Sequence, residues 1–143
     1  MLLIRVICFC GCKSLTSLNL SDFNTQNLSD MRFMFAFCDS LTNINLSNFN
    51  IQNVVYMTGS FFECKSLTYL NLSNFNTQNV RDISYMFSGC KSLTNLNLLN
   101  FNTQNVMDSE RMFDYCESLK EPNIIIKDKD NAVLYEYYWF IVE

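Results

Sequence analysis

A chain of 143 residues with 14 acidic and 10 basic side chains, net charge −4, carries no block of either sign. It lacks the basic stripe that neutralises phosphates, so no nucleic acid partner is expected. With no histidine and only three glycines it also lacks a neutral-pH proton shuttle and a glycine-rich phosphate loop, so no enzyme activity, cofactor or metal is expected.

Residues 1–11, MLLIRVICFCG, begin with an apolar run that Arg5 interrupts, which makes a poor signal peptide. Phe9 and Gly11 instead align with Phe87 and Gly89, so this segment is expected to be a partial preceding repeat. An uncapped first coil would leave an edge near Leu15 to Leu20 open to self-association.

Residues 12–126 read as four full repeats plus a partial fifth, because cysteines recur at 12, 38, 64, 90 and 116, a spacing of 26. The copies starting at Cys64 and Cys90 agree at 18 of 26 positions. Such a period signals stacked coils, each contacting mainly its neighbours. Within one unit, Leu67, Leu70 and Leu72 are expected to point inward from a strand, with Thr68, Tyr69 and Asn71 on the solvent side. Ile83, Met86, Phe87 and Cys90 fall at i, i+3, i+4 and i+7, the spacing of one helix face, with Asp82 suited to its positive end. Departures are local: Ser60 and Ser109 replace helix-face apolar residues and predict looser helices in the second and fourth coils, and Tyr56 stands where other coils have Asp30 and Asp82.

The pattern C-x-S-L-T-x-L-N-L-S-N-F-N-T-Q-N-V-x-D-M-x-x-M-F resembles the 26-residue repeat of bacterial surface proteins, the BspA-like branch of the leucine-rich repeats, over about residues 5–126. The fold class expected is an α/β leucine-rich-repeat solenoid, with a parallel β-sheet on one face and short helices on the other. The resemblance also implies a surface-exposed or secreted protein engaged in adhesion. Asn19, Asn50 and Asn76 stand where that repeat often has aspartate, which leaves the chain less charged.

A fifth strand is expected from Leu119 to Ile124, with Pro122 marking the end of the array. Residues 127–143 then form a polar turn and an aromatic segment, read as a cap on the last coil or a frayed tail.

Five of the seven cysteines occupy the helix-face position and are expected as a buried column, while Cys8 and Cys10 are the reactive pair. Zinc is disfavoured because no C-x₂₋₄-C pairs occur in two places. Asparagines recurring at 27, 53, 79 and 105 are expected to hold the bends of the coil, their amides bonding one another and turn carbonyls.

What remains for recognition is the solvent side of the sheet. It comprises Thr16, Thr42, Thr68 and Thr94, then Ser17, Asn43, Tyr69 and Asn95, then Asn19, Asn45, Asn71 and Asn97. Only the middle column varies, so it is where specificity would be written. Five strands about 4.8 Å apart offer roughly 400 Å², half of the roughly 800 Å² that a standard interface uses on each partner. A protein or glycan ligand would therefore be held weakly by one array. The competing reading is a structural spacer, or a decayed repeat fragment, with no ligand of its own.

Overall fold

The computed structural model describes residues 8–120 and 124–126 of the chain. The expectations for residues 1–7, 121–123 and 127–143 lie outside these.

Among the described residues five short strands form, β1 (Ser17–Asn19), β2 (Asn43–Asn45), β3 (Tyr69–Asn71), β4 (Asn95–Leu98) and β5 (Ile124–Ile126). Coils one and two, and coils three and four, pair their strands at equivalent residues: Ser17 faces Asn43, and Tyr69 faces Asn95. The inward leucines and outward polar residues alternate as the pleat requires, with Leu67, Leu70 and Leu72 buried and Thr68, Tyr69 and Asn71 exposed. The expected single sheet is interrupted, however. One sheet holds β1 and β2, the other β3, β4 and β5, and no ladder joins β2 to β3.

The α/β solenoid with a helical face is not what forms, since the described residues contain no helix. The opposite wall is a series of overlapping turns bonded from coil to coil. The N–H groups of Ile83, Tyr85, Phe87 and Gly89 donate to the carbonyls of Asp108, Glu110, Met112 and Asp114 in the next coil. The intervening N–H groups of Met86, Ser88 and Cys90 donate three residues back, to Ile83, Tyr85 and Phe87. Tyr85 and Gly89, third in their turns, have φ of 54° and 79°, the left-handed region that such turns demand. The same two places are left-handed in other coils, at Phe33 and Phe37, Gly59 and Glu63, and Arg111 and Tyr115.

Spacing explains why turns replace helices. Isolated bridges pair Asp30 with Tyr56, Tyr56 with Asp82, and Asp82 with Asp108, so this wall also keeps strand spacing. A helix is about 10 Å across and cannot sit on coils stacked about 4.8 Å apart without the wall fanning open. A helix from Asp82 to Cys90 would also be too short to be stable by itself. The inward set Ile83, Met86, Phe87 and Cys90 is buried all the same.

Between the walls, Phe9, Phe35, Phe61, Phe87 and Phe113 stack ring on ring, with successive centroids 5.7, 5.2, 5.8 and 5.5 Å apart. Beside them runs the cysteine column. The thiols of Cys38, Cys64, Cys90 and Cys116 donate to the carbonyls of Phe9, Phe35, Phe61 and Phe87 at 3.1–3.2 Å. Ser60, expected to loosen its coil, has bonding partners there. It is fully buried, and its hydroxyl lies 2.7 Å from the Met57 carbonyl oxygen and 3.0 Å from that of Met31. Of the expected fifth strand, Leu119–Ile124, residues 121–123 lie outside the described residues; in β5, Ile124 faces Leu96.

Candidate binding face

The three outward columns prove unequal once their hydrogen bonds are followed. In the threonine column, the Thr42 hydroxyl and N–H both donate to Thr16 O, at 3.0 and 2.9 Å. Thr94 does the same to Thr68 O, also at 3.0 and 2.9 Å. In the third column, Asn19, Asn45, Asn71 and Asn97 each turn Oδ1 back to accept the N–H two residues on, of Ser21, Ser47, Ser73 and Leu99, at 3.0–3.1 Å. These side chains end their strands as Asx turns. The Thr42 and Thr94 hydroxyls and all four asparagines are thereby committed to building the coil.

The middle column pairs with neighbouring coils through its backbone, but its side chains bond no other coil. Ser17, Asn43, Tyr69 and Asn95 are all exposed. The Asn95 side chain bonds only its neighbour, Nδ2 donating to the Thr94 hydroxyl at 3.1 Å. Tyr69 is 55% exposed, the one aromatic ring on this face. No lysine, arginine, aspartate or glutamate stands among the twelve residues of the three columns, so the face is polar and electrically neutral.

The interruption between β2 and β3 gives this face its relief. On either side of it, the neighbouring strands are closed by matching contacts. Thr42 N–H bonds Thr16 O and Leu20 N–H bonds Asn45 O, then Thr94 N–H bonds Thr68 O and Leu72 N–H bonds Asn97 O. Neither contact forms between Thr42 and Thr68 or between Leu46 and Asn71. A cleft of about 470 Å³ opens there, with Asn43, Asn45, Tyr69 and Asn74 among its walls. Asn74 spans it, its Nδ2 lying 3.0–3.3 Å from the carbonyl oxygens of Leu46, Ser47 and Phe49.

One residue difference coincides with the break. Thr25 Oγ1 accepts the Asn50 N–H of the next coil, and Thr77 Oγ1 accepts that of Asn102, both at 2.7 Å. The second coil has Ile51 at that place, with no hydroxyl to offer Asn76. Coils two and three therefore lack a tie that coils one and two, and three and four, possess.

Several contributors were not anticipated from sequence. Asn48 and Asn100 donate from Nδ2 to the Ser21 and Ser73 carbonyls, as Asn74 does to its own set, and their register at 48, 74 and 100 was the available signal. On the turn wall, Arg32 pairs with Asp30 and lies over the Tyr56 ring, 5.2 Å from its centroid. That hydrogen bond from Arg32 holds the Asp30 carboxyl below its usual range. Burial opposes ionisation of Asp82, but the hydroxyls of Ser84 and Thr58, each 2.6 Å away, outweigh it and hold its carboxyl low. Phe33 and Phe37 are exposed on the same wall.

The expected bend-holding asparagines are present, though they bond carbonyls rather than one another. Nδ2 of Asn53, Asn79 and Asn105 donates to Gln26, Gln52 and Gln78 O at 2.7–2.8 Å. Cys38, Cys64, Cys90 and Cys116 are buried, while Cys8 and Cys10 are exposed. Among the described residues no helix is long and apolar enough to cross a membrane.

Fold and face together define a repeat protein of stacked 26-residue coils with a turn wall in place of a helical one. Over residues 6–125 the chain matches the family described as "Mycoplasma protein of unknown function, DUF285", and it belongs to that family. No curated protein and no solved structure matches it.

Proposed function

We propose that this chain is a non-catalytic binding module of an adhesive surface protein, taking a protein or glycan ligand on the solvent face of its strands. The observation that supports this most is the middle column. Ser17, Asn43, Tyr69 and Asn95 are the outward strand residues that vary and whose side chains bond no other coil, whereas the Thr42 and Thr94 hydroxyls and the four flanking asparagines bond the backbone. The resemblance to surface-protein repeats supports the adhesive role and the surface location. The small area, about 400 Å² at strand spacing, favours weak contacts made effective by several copies displayed together.

The test is attachment of bead-displayed chain to cultured animal cells, comparing wild type with the triple variant Asn43→Ala, Tyr69→Ala, Asn95→Ala. Attachment should fall at least about tenfold, the effect of losing about 1.4 kcal/mol, with circular dichroism unchanged. Equal attachment by the folded variant would leave the chain as a spacer.

A further inference from the structure

We propose that the cleft between β2 and β3 is a subsite for a neutral saccharide, opened by Ile51. This deepens the binding-face reading and rests on it. The lining excludes two other occupants. It carries no lysine, arginine, aspartate or glutamate, so nothing there would compensate a charged ligand. Nor can a peptide strand insert between β2 and β3: their Cα atoms come within 8 Å, whereas a third strand would need about twice the 4.8 Å strand spacing.

What the cleft offers suits a sugar. Its amides and hydroxyls both donate and accept, as do sugar hydroxyls. The ladder bonds missing between Thr42 and Thr68, and between Leu46 and Asn71, leave backbone N–H and carbonyl groups at its edge. The Tyr69 ring, 55% exposed, supplies a flat apolar platform for the C–H face of a pyranose. Ile51 is buried beneath the face at 2% exposure and does not line the cleft. It acts by withholding the hydroxyl tie that Thr25 and Thr77 make.

The experiment uses the full chain labelled with ¹⁵N, titrated with lactose and with N,N′-diacetylchitobiose. Concentrations reach about 10 mM, several times a Kd of about 1 mM, which corresponds to a free energy near −4.1 kcal/mol. The amides of Leu46 and Thr68 and the side-chain amide of Asn74 should shift with at least one of the two sugars. Tyr69→Phe should bind within about threefold of wild type and Tyr69→Ala at least tenfold more weakly, on the scale of about 1.4 kcal/mol per decade. Ile51→Thr should join the two sheets, protecting the Thr68 amide from hydrogen exchange, and should abolish the shifts without altering a lining residue. No shift with either sugar, shifts confined elsewhere, or an Ile51→Thr protein that binds normally with Thr68 protected would each overturn the proposal. If Ile51→Thr fails to fold, the two Tyr69 variants decide. Should the titration fail while the triple variant above still loses attachment, the cleft proposal falls alone and the binding face stands.

Discussion

The ring of Phe33 lies against the α-carbon of Gly59 in the next coil, so close that a β-carbon there would stand 2.5 Å from Cε1. Gly59 also has φ of 57°. In a helix, Gly59→Ala would stabilise by about 1 kcal/mol. On this turn wall it should destabilise by about 1–2 kcal/mol, the cost of a left-handed residue with a side chain. Phe33 is 43% exposed and can swing outward, so Phe33→Ala combined with Gly59→Ala should lose little beyond that backbone cost. Arg111 holds the equivalent place with φ of 55°, and its ion pairs with Glu110 and Asp114 are exposed and worth little. Arg111→Gly is therefore expected to be neutral or to stabilise by up to about 1 kcal/mol, the reverse of its effect in a helix. Urea unfolding of the four proteins gives the signs.

The period of 26, the inward leucines and the cysteine column were legible because each is a matter of which side chains face inward. The turn wall was not, for the same reason. Ile83, Met86, Phe87 and Cys90 are buried in the turn series and would be buried on a helix, so hydrophobic spacing alone does not separate the two. What separates them is the destination of alternate N–H groups, a relation between coils that the spacing within one coil does not carry. The cleft was hidden differently. Ile51 for threonine looks like a conservative exchange of β-branched residues, and its consequence appears only once Thr25 and Thr77 are seen to accept N–H bonds from the following coil.

The asparagine columns look alike in sequence and act with opposite ends of the amide. Asn71 uses Oδ1, accepting the Ser73 N–H at 3.0 Å. Asn79 uses Nδ2, donating to Gln52 O at 2.8 Å. A carboxylate can replace the first but not the second, since ionised aspartate only accepts. Asn71→Asp should change stability by less than about 0.5 kcal/mol, whereas Asn79→Asp should cost about 1–2 kcal/mol by losing the donor and facing a carbonyl with a charge. Thermal unfolding at neutral pH distinguishes them. Equal losses at the two sites would contradict the assigned roles.

The buried thiols make stability depend on alkali. Burial pushes Cys38 up to about 11 and Cys64 and Cys116 up to about 12, from an ordinary 9.0, and raises Cys90 as well. Because the folded values lie above the unfolded ones, this contribution is complete below pH 9.0 and is lost as pH rises toward about 11 to 12. Within that window each thiol ionised only in the unfolded chain lowers stability by about 1.4 kcal/mol per pH unit. Unfolding midpoints in urea should therefore fall steeply above pH 9, and Cys64→Ser should make the fall shallower, since serine does not ionise there. Reactivity follows the same division. At pH 8, a thiol reagent should modify exposed Cys8 and Cys10 rapidly and half-buried Cys12 more slowly. Cys38, Cys64, Cys90 and Cys116 should react only as fast as the chain unfolds, and mass spectrometry of peptides quenched at intervals reads the order. Rapid labelling of Cys64 in the folded protein would mean that the thiol-to-carbonyl column, with its 3.1 Å contact to Phe35, does not hold the coils closed.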